Sequence, residues 1–264
     1  MRVTAIGLMA GLAMGAAGLV TVPLRTRVEA YRGSGEWREA ALTERLDPAK
    51  TAIILCDLWD KHWCRGATER VAGLTGKINP VLRAARAKGV LIIHAPSETM
   101  GFYEGTAQRR AAQLMPRVAP PTLRTIDAPA LPIDDSDGGC DTSTDKFYKA
   151  WRRQHPAIEI GPADLITDQG EEVYSALRQR GIEHLLVAGV HTNMCILNRS
   201  FAIKQMTRWG VRCILVRDLT DAMYDPKDAP YVSHDRGTEL VIEHIERHWA
   251  PTVLSTDLLR ALGR

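Results

Sequence analysis

The 264-residue chain is short of cysteine and of net charge, and each scarcity excludes something. Its five cysteines (Cys56, Cys64, Cys140, Cys195, Cys213) follow no metal-ligand spacing, which excludes a zinc finger or ribbon. Their odd number leaves at least one thiol unpaired. The 34 basic and 31 acidic residues give a net charge of only +3, with both signs interleaved. That balance offers no basic groove for nucleic acid, so none is expected as a partner. There is no internal repeat. The one long apolar run without charge is Val3 to Val20.

That run follows Met1-Arg2, is rich in Ala and Gly, and has a small-residue site at Gly15-Ala16-Ala17-Gly18. It has the shape of a signal peptide; its length also suits a retained N-terminal membrane anchor. Four glycines (Gly7, Gly11, Gly15, Gly18) argue against a buried helix. Residues 1–20 are therefore read as a leader. The protein is expected to be exported (periplasmic or secreted) or anchored by this segment, with no other membrane partner. In such a compartment Cys64 and Cys140 are the pair to test for a disulfide. Cys56 and Cys213 lie in apolar runs as buried small hydrophobes, which leaves Cys195 as the free thiol.

Residues 21–50 alternate in short pieces around Gly33-Ser-Gly35, which reads as an antiparallel hairpin beside the main fold. From Thr51 strands and helices alternate: strand Thr51 to Cys56, helix Arg70 to Lys88, strand Val90 to His94, helix Gly170 to Arg180, strand Leu185 to Val190, helix Ile196 to Trp209, strand Val211 to Val216, helix Gly237 to Arg247. Crossovers of this length need a mostly parallel sheet with helices on both faces, an α/β three-layer sandwich over residues 51–264. Ligands then bind at the carboxyl ends of the strands, where Asp57, His94, Cys195 and Asp218 fall. The segment from Ala95 to Pro162 holds eight of the 14 prolines. It reads as a lid or binding insertion over about residues 97–160.

The most informative stretch is His184-Leu-Leu-Val-Ala-Gly-Val-His-Thr-Asn-Met-Cys195, a buried strand running through a turn into a helix. A cysteine at such a junction is expected to form its thiolate more easily, because helix-end N–H groups favour an anion. Free cysteines are commonly buried and inert, and the strand-turn-helix setting is what argues otherwise here. Strand one ends Ile53-Ile-Leu-Cys-Asp57-Leu-Trp-Asp60-Lys-His62-Trp-Cys64. A carboxylate leaving a buried strand is costly unless paired or working, so Asp57 is a candidate base for Cys195; the alternative is a turn cap.

These residues, with Val211-Arg-Cys-Ile-Leu-Val-Arg-Asp218-Leu-Thr-Asp-Ala, resemble the isochorismatase-like cysteine hydrolase family over roughly Thr51 to Glu246. The resemblance implies the α/β fold, a Cys195 nucleophile and an Asp57 base. It also implies a non-proline cis peptide between Val190 and His191, with the His191 and Cys195 N–H groups facing an oxyanion. A homo-oligomer with a shared lid is implied as well. Members carry a lysine after the strand that precedes the cysteine strand; here Asp168 falls near that place, with His155 as another occupant. Lys61, Lys146 or Lys149 could supply the cation from another loop, and Lys61, four residues after Asp57, is the best placed.

Asp60, His62 and His94 carry donors suited to a divalent metal, the only cofactor considered. The metal segment of the nicotinamidase branch nevertheless reads here as Ile92-Ile-His94-Ala-Pro-Ser. Trp59, His94 and Asp168 are taken as substrate-binding. The aromatics Trp59, Trp63, Phe102, Tyr103, Phe147, Tyr148 and Trp151 cluster near strand one and the insertion, as core or lid packing ahead of a substrate cage. The expected activity is hydrolysis of an amide-type carbon-nitrogen bond in a small molecule through a Cys195 thioacyl intermediate. The alternative is a binding or scaffold protein that kept the sandwich and lost the lysine.

Overall fold

Strand β3 (Thr51–Cys56) and strand β6 (His184–Val190) are buried along their whole length, and their alternation divides the core. Ile54 and Cys56 face one side of the sheet with Leu185 and Val187, while Ile53 and Leu55 face the other with Leu186 and Ala188. Successive side chains of a strand point to opposite faces, so a strand apolar at every position must be covered twice. The computed structural model describes residues 18–142 and 146–263. The leader read from residues 1–20 therefore lies almost wholly outside the described residues, and β1 already begins at Val20.

The remaining elements, in chain order, are strands β1 (Val20–Glu29) and β2 (Trp37–Leu46), helix α1 (Arg65–Ala87), strand β4 (Leu91–Ala95), helix α2 (Ala107–Gln113), strand β5 (Leu165–Ile166) and helix α3 (Gly170–Gln179). After β6 come helices α4 (Cys195–Asn198) and α5 (Ile203–Arg208), strand β7 (Arg212–Asp221), helix α6 (His234–His248), strand β8 (Thr252–Val253) and helix α7 (Ser255–Ala261). One eight-stranded sheet runs in the order β2-β1-β8-β7-β6-β3-β4-β5. The six strands from β8 to β5 pair in parallel. Apolar residues of α1 and α7, such as Val71, Ile78, Leu82 and Leu258, pack on one face; those of α3, α5 and α6, such as Val173, Leu177, Met206 and Ile245, pack on the other. This is the expected three-layer sandwich. Among the described residues no helix is long and apolar enough to cross a membrane.

Two local expectations change, while the N-terminal hairpin is present as expected: β1 pairs antiparallel with β2 and, at Arg25 and Thr252, with β8, and so extends the main sheet. Arg25 anchors it by ion pairs to Glu239 and Glu246 of α6. The helix expected from Ile196 to Trp209 is broken, because Arg199 turns extended (ψ 153°) after Asn198. At the break Ser200 Oγ accepts the Gly170 N–H at 3.0 Å, satisfying an N–H at the start of α3. A first-turn N–H has no intrahelical partner, so this contact supplies one to α3. Strand β7 is longer than expected, with a register shift against β6 between Val187 and Gly189.

The insertion carries α2 and returns along the exit of β3. His155 N–H donates to Leu58 O at 2.7 Å, and Asp60 N–H donates to Arg153 O at 3.0 Å. Cys64 and Cys140 form a disulfide, with 5.7 Å between their Cα atoms. Cys56, Cys195 and Cys213 are free.

Candidate active site

The close approach of β3 and β6 builds the site. Gly189, at φ +118°, leaves no room for a side chain, since a Cβ there would lie 2.0 Å from Cys56 O. The next peptide, Val190–His191, is cis, as the resemblance implied. The chain then turns, with Ile196 N–H closing onto His191 O at 3.1 Å, so that Cys195 opens α4. Asn193 fixes this turn: its Oδ1 accepts Met223 N–H at 2.8 Å and its Nδ2 donates to Met223 O at 2.9 Å.

Asp57 leaves β3 in the left-handed region (φ +47°) with its side chain wholly buried. Oδ1 accepts the Ser97 N–H at 2.7 Å, and Oδ2 accepts Arg199 Nε at 2.8 Å. The Cys195 thiol lies beside the same carboxylate, close enough that each shifts the other's proton affinity, and the backbone N–H of His191 favours the thiolate. The group beside Asp57 is therefore Arg199, four residues after the cysteine on the same turn of chain; Arg199 N–H donates to Cys195 O at 3.1 Å.

The electrostatics reverse one expectation. Burial, and next to it the charge of Asp57, push the Cys195 thiol well above its usual range, against the pull of Arg199. Helix α4 has only four residues, too few to supply the macrodipole that the sequence argument relied on. Burial also raises the Asp57 carboxyl, while Arg199, Cys195 and Ser97 draw it back. Burial works against the charge on Arg199, but Asp57 and Cys195 hold its proton more firmly than usual. The resting site is thus a thiol beside an arginine-paired carboxylate.

None of the lysines proposed from the sequence occupies this position. Lys61 Nζ lies over the Tyr148 ring, 5.8 Å from its centroid, on an exposed part of the same loop. Lys149 Nζ donates to Glu98 O at 3.2 Å, and Lys146 lines the cavity that holds Lys61. His155 Nδ1 accepts the Ala157 N–H within its own turn. Asp168 stands one step back: its Oδ2 accepts the Glu98 N–H at 3.0 Å, and Glu98 in turn reaches Arg199 at 3.4 Å. It supports the loop that carries Ser97 and Glu98.

His94 has no free ring nitrogen to offer a substrate or a metal. It is fully buried, with Nδ1 on Gln154 Oε1 at 2.9 Å and Nε2 on Asp164 Oδ2 at 2.8 Å. Asp60 Oδ1 accepts N–H groups of Arg152 and Arg153, and His62 Nδ1 accepts the Cys64 N–H. The three candidate metal ligands therefore serve separate networks. Among the described residues the one cluster of three ligand types is Cys64, Cys140 and Asp141, and its two sulfurs are joined to each other.

Trp59, expected from the sequence to bind substrate, is buried beside Asp57 and Arg199. Its ring stacks on Trp151 at 4.3 Å and lies under the Arg199 guanidinium at 5.9 Å. Its Nε1 donates to Ser97 O at 3.1 Å. His62 continues the stack at 5.7 Å from Trp151 and meets the edge of His191 at 5.1 Å. Arg199 and Ser97 were not picked out from the sequence, whereas Trp151 was, among the aromatics of the insertion. The signal for Arg199 was there: a cation four residues after a cysteine at a helix start shares its face. Ser97 and Trp151 arrive through the insertion, which carries no readable period.

No protein-family model and no curated relative matches the chain. Solved structures do. A cysteine hydrolase from Pseudomonas syringae pv. phaseolicola is 20% identical, with a TM-score of 0.55 over 82% of this chain and 94% of that one. An isochorismatase from Pseudomonas putida KT2440 is 14% identical, with a TM-score of 0.50 over 79% of this chain and 90% of that one. At such identities the likeness concerns architecture: the chain has the isochorismatase-like fold.

Proposed function

We propose that the protein is a cysteine hydrolase acting on an amide-type carbon-nitrogen bond of a small molecule. The observation that carries this reading is the contact of the Cys195 thiol with a buried carboxylate that Arg199 holds in place. In the proposed cycle the sulfur attacks the carbonyl carbon as the thiol proton passes to Asp57. The His191 and Cys195 N–H groups hold the oxyanion. Collapse breaks the carbon-nitrogen bond, and the amine leaves with the proton from Asp57. Water then attacks the thioester carbonyl and gives a proton to Asp57. Breakage of the carbon-sulfur bond returns that proton to sulfur. Arg199 cannot act as an acid, because a guanidinium keeps its proton, so its part is to position and balance Asp57.

A raised thiol suits proton transfer during attack rather than a standing thiolate. It equally favours the second reading, a binding protein on the same scaffold. A screen of small amides and ureides separates the two, run with the wild type, Cys195→Ala and Asp57→Asn. Hydrolysis lost in both variants supports the enzyme; undiminished hydrolysis in Cys195→Ala removes cysteine catalysis. The Cys64–Cys140 disulfide supports placement in an oxidising, extracytoplasmic compartment.

A further inference from the structure

At the amino ends of β6 and β7 lies a cavity of about 510 Å³. We propose that it binds a small apolar amino acid as a zwitterion. His184 and Arg212, the first residues of the two strands, line it with Glu44 of β2, Arg124 of the insertion and Trp249 just after α6. Cys195 follows the opposite end of β6, beyond seven residues of strand or about 20 Å. The cavity is therefore separate from the candidate active site.

One part of the lining calls for an anion. Arg124 and Arg212 are exposed, and neither guanidinium has an ion pair or hydrogen bond among the described residues. Arg124 is held in place: its backbone N–H donates to Arg208 O at 3.1 Å, and its Nη2 lies against Gly210, 3.2 Å from where a Cβ would stand. Trp249 Nε1 is buried without an acceptor, while Lys204 and Arg208 lie over the ring at 5.6 and 5.5 Å. An indole N–H can only donate, so the partner it lacks is an acceptor. Two unpaired guanidiniums beside that N–H suit a carboxylate.

Another part calls for a donor. His184 is 4% exposed, neither ring nitrogen has a hydrogen-bond partner, and Nε2 stands 3.5 Å from Glu44 Oε1. Burial pulls the ring below its usual range, with Glu44 opposing, so near neutral pH the imidazole carries one ring proton. The carboxylate beside Nε2 favours the proton there, which leaves Nδ1 an acceptor without a donor. An ammonium group would serve Glu44 and Nδ1 together and recover the cost of a buried, unpartnered nitrogen. Leu24, Ile214 and Pro251 add apolar wall for a side chain. A carboxylate, an ammonium and a small apolar side chain on one molecule answer all three parts of the lining.

Calorimetric titration of the full chain with leucine tests this, because leucine can be cut back one charge at a time. It is expected to bind about tenfold more tightly than isocaproate, which lacks the ammonium, or isoamylamine, which lacks the carboxylate, each the loss of one charge-assisted contact. Glu44→Gln should weaken leucine by about tenfold and leave isocaproate no weaker. The Arg124→Met/Arg212→Met double variant, at two exposed positions, should weaken leucine and isocaproate by about tenfold or more and isoamylamine not at all. Cys195→Ala should bind leucine as the wild type does. Absence of leucine binding, equal binding of leucine and either truncated ligand, indifference to Glu44 or to the arginine pair, or loss of binding in Cys195→Ala would each overturn the proposal. The hydrolase reading stands or falls separately, on the amide screen.

Discussion

Arg199 Nε donates to Asp57 Oδ2 at 2.8 Å from a position one turn beyond Cys195. The nucleophile candidate and the cation that orders its base thus sit on one short piece of chain, and any movement of α4 shifts both. A lysine delivered from a separate strand would lack this coupling. The guanidinium also reaches Glu98 and lies over Trp59, so its geometry is fixed from three directions.

This geometry sets the expected response to substitution. Arg199→Met leaves the buried Asp57 carboxylate without its cation and should lower hydrolysis on the order of a hundredfold or more. Arg199→Lys restores the charge but not the planar fork, and should recover only part of the loss. Steady-state rates on a substrate from the amide screen check the order wild type, Lys, Met. Equal rates for all three would remove Arg199 from the machinery.

The disulfide ties the loop after β3 to the insertion 76 residues away. The double variant Cys64→Ser/Cys140→Ser is expected to lose about 2–5 kcal/mol of stability, measured as a lower urea midpoint. Reductant should shift the wild type toward the variant and leave the variant unchanged. Equal midpoints for the oxidised wild type and the variant would contradict this.

Acid should destabilise the fold through its buried imidazoles. Burial, with His191 and Arg70 nearby, pulls His62 down from 6.5 to about 3. Burial pulls His191 down to about 4, with Asp221 opposing. Both folded values lie below the unfolded one, so the unfolded chain binds more protons as the pH falls through this window. Stability is full above about 6.5 and falls toward pH 4, by up to about 1.4 kcal/mol per pH unit for each group. His62→Phe, which keeps a ring against Trp151, should show a shallower decline in urea midpoint between those values. Parallel curves would count against the assignment.

Much of the scaffold was legible because burial on both faces leaves a mark in sequence. Thr51–Cys56 and His184–Val190 are apolar runs that only a covered sheet can use, and they ended where Asp57 and the Cys195 turn begin. With the strand-buried cysteines set aside and Cys195 read as the nucleophile, Cys64 and Cys140 were the pair to test for an exported protein, and they are bonded. What escaped depended on tertiary partners. Nothing local marks His94 as locked between Gln154 and Asp164, since both come from a region without period. The apolar spacing after Cys195 suits one long helix, and nothing local marks the break at Arg199, where Ser200 meets Gly170 of α3. The thiol was misjudged because a helix of expected length was credited with a dipole that four residues do not possess.

Gly189→Ala tests how tightly the site depends on strand contact. The added methyl would meet Cys56 O at 2.0 Å, on a backbone at φ +118°. Few substitutions cost more than about 4 kcal/mol, and this one combines strain with overpacking. Loss of the soluble fold, or a fall of that order in the urea midpoint, is expected. A variant as stable as the wild type would show that β3 and β6 can separate.

The central claim is that Cys195, Asp57 and Arg199 form one electrostatic unit, and the rate of Cys195 alkylation by iodoacetamide as a function of pH tests it without any substrate. In the wild type labelling should be slow at neutral pH and rise only at high pH. Asp57→Asn removes the charge that opposes the thiolate and should move the rise to lower pH; Arg199→Met removes the opposing pull and should move it higher. Coincident profiles for the three proteins, or rapid wild-type labelling at neutral pH, would contradict the account.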